Sequence, residues 1–230
     1  MAKAAVVKKP LGTGNTKVGH HIEGTNNYIT PKGRATFVAL ANRSKNMAGS
    51  KAEKEGKPGG YVVAMIFPPE SDLSVLIDAA NAVGKEKFGK EFDGTTKKGL
   101  GSKKWPFRDP DSFDKPLVVL DKDGEEVDLS DWQCVRFNTF TAQPVVRDGT
   151  DPKVPVVDPD EIATECYSGR WMRLTCSPSA FDVDNGKGVK FYLNAVQLLK
   201  HDDPIGGGGQ RDDGESFGAP VDDDDDGDGL

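Results

Sequence analysis

Apolar and polar positions alternate along much of this chain, and glycine or proline breaks the alternation at short intervals. A polar, extended arm over 1–27 precedes a first strand predicted over 28–41. The next stretch, 42–60 (NRSKNMAGSKAEKEGKPGG), is rich in Lys and Gly and predicts an exposed loop. The run YVVAMIF over 61–67 is a compact apolar strand stopped by Pro68 and Pro69. One segment changes period. Leu73, Leu76, Ile77, Ala80 and Val83 recur at helical spacing, so a helix is predicted over 71–88 with Ser71 or Asp72 as its cap. Short strands follow over 117–120, 133–140, 145–147, 154–157, 167–176 and 189–199. Asp184-Asn185-Gly186-Lys187-Gly188 is a tight-turn signal that joins the last two as a hairpin. The tally, many short strands and one main helix, predicts a mainly β fold: a small antiparallel barrel, with a β-sandwich as the alternative.

Strand periodicity sorts the side chains into faces. Over 170–176, Met172, Leu174 and Cys176 share the face expected to be core, while Trp171, Arg173 and Thr175 share the other and Arg170 opens the strand. Over 133–140, Val135 and Phe137 point one way; Arg136, Asn138 and Phe140 point the other. An arginine beside an aromatic on a non-core face suits unpaired nucleic acid, because the cation neutralises phosphate and the ring stacks on a base. Cover by the helix or by a second subunit is the competing explanation. The Gly-rich loop over 94–108 adds Lys97, Lys98, Lys103, Lys104 and Arg108 around Trp105 and Phe107. Trp105 either stacks on a base or plugs one end of the barrel; Phe107 is expected to plug.

Charge separates the chain into parts. The formal net charge is −7, yet 206–230 holds nine acidic residues and one Arg, ending in Asp222, Asp223, Asp224, Asp225, Asp226, Gly227, Asp228, Gly229 and Leu230. A segment so poor in apolar side chains cannot offset its ordering entropy and is expected to be disordered. Residues 201–230 carry a net −10, which leaves +3 for residues 1–200. The division expected is a flexible arm (1–27), a binding domain (28–205) and an acidic tail (206–230). A basic body tethered to an acidic tail suggests two linked partners, a polyanion and a basic protein surface.

Catalytic and metal templates fail. Leu100 stands where a phosphate loop needs Lys after Gly94-Thr95-Thr96-Lys97-Lys98-Gly99, and the Gly12/Gly14 pair follows no strand. The three cysteines, Cys134, Cys166 and Cys176, form no Cys-x-x-Cys pair, and with three histidines a Ser-His-Asp triad is improbable. No cofactor, metal or enzymatic activity is expected. No run of eighteen apolar residues exists and no signal-peptide core opens the chain, so a cytosolic protein is expected.

The sequence Tyr167-Ser168-Gly169-Arg170-Trp171-Met172-Arg173-Leu174, followed by Gly186-Lys187-Gly188-Val189-Lys190-Phe191-Tyr192-Leu193-Asn194-Ala195-Val196-Gln197, resembles the closing strands of tailed-bacteriophage single-stranded DNA-binding proteins. Pro144-Val145-Val146 and Pro155-Val156-Val157-Asp158 are also similar. The resemblance implies an OB-fold core gripping unpaired DNA without regard to sequence in replication and recombination. It also implies an acidic tail that contacts replication proteins (polymerase, helicase or primase) and competes with DNA for the groove. By position the groove would hold Lys103, Lys104, Trp105, Arg136, Arg170, Trp171 and Arg173. One departure concerns the tail: the best-studied members of the family it resembles end in an aromatic residue, whereas this chain ends Gly229-Leu230, with Phe217 as the only Phe, Tyr or Trp after Tyr192. An exposed strand edge or the arm leaves pairing into a homodimer open.

Overall fold

The computed structural model describes residues 16–46, 51–89, 92, 105–110, 117–121, 124–183 and 186–205. In chain order its elements are β1 (His20–His21), β2 (Tyr28–Ile29), β3 (Gly33–Ala39), α1 (Lys51–Lys54), β4 (Tyr61–Phe67), α2 (Ser74–Phe88) and β5 (Phe107–Arg108). There follow β6 (Gln133–Thr139), β7 (Val145–Arg147), β8 (Pro155–Val156), α3 (Pro159–Glu165), β9 (Trp171–Val183) and β10 (Gly186–Leu198).

Five strands close a ring in the order β3, β4, β6, β10, β9 and back to β3. This is the five-stranded barrel of an OB-fold. The expected all-antiparallel pairing is corrected along β10, which runs parallel to β6 and, outside the ring, to β7. Strand direction cannot alternate around an odd number of strands, so one pair must be parallel; here it is β6 with β10, Phe137 opposite Phe191. β9 and β10 form the expected hairpin, antiparallel from Gly186–Val183 to Leu198–Met172. Val63, Met65, Val135, Phe137, Met172, Cys176 and Phe191 fill the interior with no exposed surface. Each such large side chain stabilises by about 1.5–3 kcal/mol on burial. α2 lays the predicted stripe against this core: Leu73, Leu76 and Ala80 are buried, and Ile77 and Val83 pack beside them.

Several elements depart from expectation for local reasons. The strand expected over 28–41 is split at Pro31, which has no N–H for a ladder, and β3 carries a bulge between Thr36 and Ala39. Phe37 sits in that bulge at φ 49°, a left-handed conformation that bends β3 around the barrel. Residues 16–27, expected in a flexible arm, join the body: β1 pairs with β2, and Gly19 donates to Asp72 O at 3.0 Å. The helix begins at Ser74, whose N–H is accepted by Asp72 Oδ1 at 2.9 Å. The stretch 117–120 makes only an isolated bridge, Leu120 to Glu126. α3 was not anticipated, although Asp158 caps it, Pro159 starts it and Ile162 anchors it. All three cysteines are buried and unpaired, and burial pushes the Cys134 and Cys166 thiols up to about 12.

At one end the outer face of β4 and β6 is covered by loop residues and the chain end. Ala64, Ile66 and Cys134 lie beneath Val119, Leu129 and Ile205, a second apolar cluster. Farther along β6, Arg136 and Phe140 are left exposed.

Candidate nucleic-acid interface

Along the edge of β6 the neighbouring strand changes. β5 pairs with Cys134 and Val135, and β10 pairs with Phe137 and Asn138. Where β5 and β10 part, a cleft of about 380 Å³ opens, lined by Trp105, Pro106, Arg108, Arg136, Asn138, Phe181, Val183, Val189 and Lys190. Burial pulls the Arg136 guanidinium below its usual pKa, and the Arg108 charge adds to the effect. Two like charges are therefore brought together in a partly desolvated wall, a field suited to an anion.

Beside the cleft, the period of the hairpin places a cation among rings. Lys190 Nζ lies 4.2 Å from the Tyr192 ring centroid, 5.8 Å from Phe140 and 5.9 Å from Phe181. Phe140 is 50% exposed and Tyr192 36% exposed, so their rings remain open to a partner. Arg43 steadies this rim: it stacks on Tyr61 at 4.8 Å and donates to the carbonyls of Gly59, Phe140 and Thr141, each at 2.9 Å. Sequence reasoning did not select Arg43, Phe181, Lys190 or Tyr192. Alternation in Val189-Lys190-Phe191-Tyr192 held the signal for the last two, because Val189 and Phe191 are buried.

The structure places the predicted residues apart. Trp105, Arg108 and Arg136 meet in the cleft, with Phe140 at its rim. Trp105 is half-buried and joins an aromatic chain inward, 5.4 Å from Phe107, which is 5.8 Å from Phe191. Both rings pack against the core, and Trp105 keeps one surface on the cleft.

Trp171 and Arg173 stand elsewhere. Trp171 pairs with Arg34 on β3, so β3 and β4 stand between it and β6, and it is ten residues from Phe181 along β9. Lys32 and Lys200 lie over the Trp171 ring at 5.4 and 4.9 Å, and its N–H donates to Asp202 Oδ2 at 2.6 Å. Arg173 is half-buried and donates to Thr30 O at 3.1 Å; burial lowers its pKa.

Arg170 departs most from expectation. Only 6% exposed, it donates to Leu199 O at 3.1 and 2.8 Å and pairs with Glu165. A guanidinium occupied in this way straps the chain end to the barrel and offers little to an external phosphate. The same strap includes Arg34, which donates to Asp203 O at 2.6 Å, and the N–H of Ile205, which donates to Ser168 O at 3.0 Å. Lys97, Lys98, Lys103, Lys104 and the acidic tail (Asp222 to Asp226, Asp228, Leu230) lie outside the described residues. Among the described residues no group of three His, Cys, Asp or Glu could hold a metal ion, and no helix is long and apolar enough to cross a membrane.

A five-stranded ring with a basic, aromatic cleft between its third strand, β6, and its closing hairpin, β9–β10, defines the class: an OB-fold barrel. The chain belongs to the tailed-bacteriophage family described as the Enterobacter phage Enc34 ssDNA-binding protein, whose family model matches residues 27–228. Solved structures agree on the fold. The single-stranded DNA-binding protein from bacteriophage Enc34 in complex with ssDNA is 17% identical with a TM-score of 0.58, covering 78% of this chain and 89% of that one. The same phage protein without that complex is 16% identical with a TM-score of 0.58, covering 84% and 90%. Its C-terminal truncation is 19% identical with a TM-score of 0.56, covering 78% and 88%. A comparison with curated protein sequences found no match.

Proposed function

We propose that this protein binds single-stranded DNA without catalysis, through the cleft and rim on the outer face of β6 and β10, during phage DNA replication and recombination. The observation that carries the reading is the convergence of Arg108, Arg136 and Lys190 with Trp105, Phe140, Phe181 and Tyr192 on one face. Phosphates are neutralised by the cations, and each stacked base contributes about 1–3 kcal/mol. Lys97, Lys98, Lys103 and Lys104, which precede Trp105 in the sequence, are included in the proposed contact set. Trp171 and Arg173, with Lys32 and Lys200, form an outlying basic patch reached by DNA running along the hairpin. Arg170 is left out of the set because its guanidinium is engaged inside the protein.

The acidic tail, Asp222 to Asp226 with Asp228 and Leu230, is proposed to recruit replication proteins (a polymerase, helicase or primase) and to compete with DNA. Support comes from its root. Ile205 packs in one cluster with Ala64 and Cys134, and Ala64 is the cross-strand partner of Arg136. The tail therefore starts beside the cleft, and tethering gives it a high effective concentration there. Action in the host cytoplasm and pairing into a homodimer belong to the same proposal.

The test is a fluorescence-anisotropy titration of a single-stranded thirty-mer with the full chain and with a chain ending at Gly206, at two salt concentrations. If 4–6 cations meet phosphate, log Kd should change with log salt with a slope magnitude of about 3–4, and removal of the tail should tighten binding. Absence of binding by both chains would overturn the reading.

A further inference from the structure

One residue on the outside of the barrel combines a strained backbone with an exposed ring. Phe37, in the bulge of β3, has φ 49° and is 53% exposed, against 50% for Phe140 on the rim of the cleft. It is the only residue other than glycine with a positive φ among the described residues. Glycine takes a left-handed conformation without steric cost, whereas a side chain in it crowds the neighbouring carbonyl. Curvature of the ring of strands accounts for the conformation and leaves the side chain unexplained. A bulky aromatic held there against its preference, half in solvent, points to a role outside the fold. Register fixes the direction of its ring. Thr36 is opposite Ala64 and Ala64 opposite Arg136, while Ala39 is opposite Val62 and Val62 opposite Asn138. Phe37 and Val38 occupy the bulge between those two rows. Val38 packs on the core and Phe37 is exposed, so Phe37 stands on the outer face, as Arg136 does. Only β4 lies between β3 and β6, which puts Phe37 two strand spacings, about 10 Å, from the strand that carries Arg136. Val62 and Ala64, the β4 residues in those rows, are shorter than either.

We propose that Phe37 is a base-stacking residue: an unpaired strand held at the cleft by Arg108, Arg136 and Lys190 crosses β4 and lays one base on the Phe37 ring. The inference rests on the cleft being part of the DNA site, and it extends that site onto β3. An uncharged ring meets the flat face that every base has, so it adds affinity without adding base preference. It neutralises no phosphate, so it adds no salt dependence either.

The experiment uses the full-length protein. Phe37→Leu keeps an apolar side chain and the same demand on the backbone while removing the flat ring. Anisotropy titration of a dT thirty-mer at two salt concentrations should show binding about five- to tenfold weaker, the lower part of what one stacked base contributes, with the salt slope unchanged. Phe37→Tyr keeps the ring and should bind within about twofold of the natural protein. A second measurement needs no variant and stands should Phe37→Leu fold poorly by thermal melt. A strand carrying 5-iododeoxyuridine, which on irradiation bonds to an aromatic ring stacked on it, should label the tryptic peptide 35–43, whose single aromatic is Phe37. An unlabelled 35–43 peptide, or a folded Phe37→Leu that binds within about twofold of the natural protein, would overturn the stacking and leave DNA binding at the cleft standing. Loss of a dimer in sedimentation of Phe37→Leu, with DNA affinity kept, would assign the ring to a second copy and overturn it likewise. Failure of the natural protein to bind the strand would overturn both readings.

Discussion

Arg136 and Arg170 look equivalent along the chain, each beginning or interrupting a strand with an aromatic close by, but the structure assigns them opposite roles. Replacing each by Gln separates the roles. Arg136 lies exposed in the cleft wall beside Arg108, so Arg136→Gln removes a like-charge contact and should leave the melting temperature unchanged or slightly raised. Its cost should fall on DNA, as a salt slope reduced by about 0.7 for the lost phosphate contact. Arg170→Gln should do the reverse. The substitution leaves Glu165 without its cation and Leu199 O without its donors, in a site where Arg170 is 6% exposed. Breaking a fully buried pair costs about 3–5 kcal/mol, and because Glu165 is 30% exposed a figure of about 2–3 kcal/mol is appropriate. For a folded unit of this size that lowers the melting temperature by about 4–10 °C. Thermal melts by circular dichroism and salt-dependent anisotropy on the same samples read both quantities. A salt slope that drops by about 0.7 in Arg170→Gln with an unchanged melt would refute the strap.

Four further outcomes are expected. Ile205→Ala, at a side chain 5% exposed in the second cluster, should cost about 2 kcal/mol, and a chain ending at Pro204 should be less stable in urea than one ending at Gly206. Gly169→Ala should destabilise by 2 kcal/mol or more in order of magnitude, since Gly169 has φ +112° and a Cβ there would strike Asp203 O; chemical denaturation reads the loss. Asp202 feels burial raising its pKa, but the Trp171 N–H, the Asp203 N–H and Arg34 outweigh it and hold the carboxyl below its usual value. A depressed folded pKa gives stability that is present above the ordinary carboxylate range, about pH 4, and is lost as pH falls through the folded value. Urea midpoints measured down to pH 3 should fall less steeply for Asp202→Asn than for the natural protein. Finally, the buried thiols, pushed up to about 12 at Cys134 and Cys166, should resist alkylation in the native state and react only on unfolding, as counted by mass spectrometry.

Much of the local structure was legible because its causes are local. The 61–67 run is β4 to the residue, since an apolar stretch closed by Pro68 and Pro69 leaves no choice of boundary. The α2 stripe and the β9–β10 hairpin followed from period and turn chemistry. Face assignments held as well: Met172, Leu174 and Cys176 are buried, and Arg136 and Phe140 lie outside. The helix α3 was missed although Asp158-Pro159 is a start signal, because seven residues carry too little periodicity to stand out from a loop. The position of Phe37 could not be read either; a bulge with φ 49° at a bulky residue is imposed by curvature of the ring, and nothing in its neighbours encodes it.

What the sequence determined by itself was where the long strands β4, β6 and the β9–β10 hairpin lie, which side of each is apolar, and the family to which the closing strands belong. Pairing between distant strands was decided only by the tertiary structure. Alternation says that Arg136 and Trp171 both point away from the core, but it cannot say that β3 and β4 stand between their strands on one side of the ring and β10 on the other. Nor can it say that Arg170 meets Glu165 and Leu199, or that Ile205 closes over Ala64 beside the cleft. A side chain's face is set by dihedral angles within its own strand. Its neighbours across the barrel are set by ring closure and register, which depend on the whole chain at once.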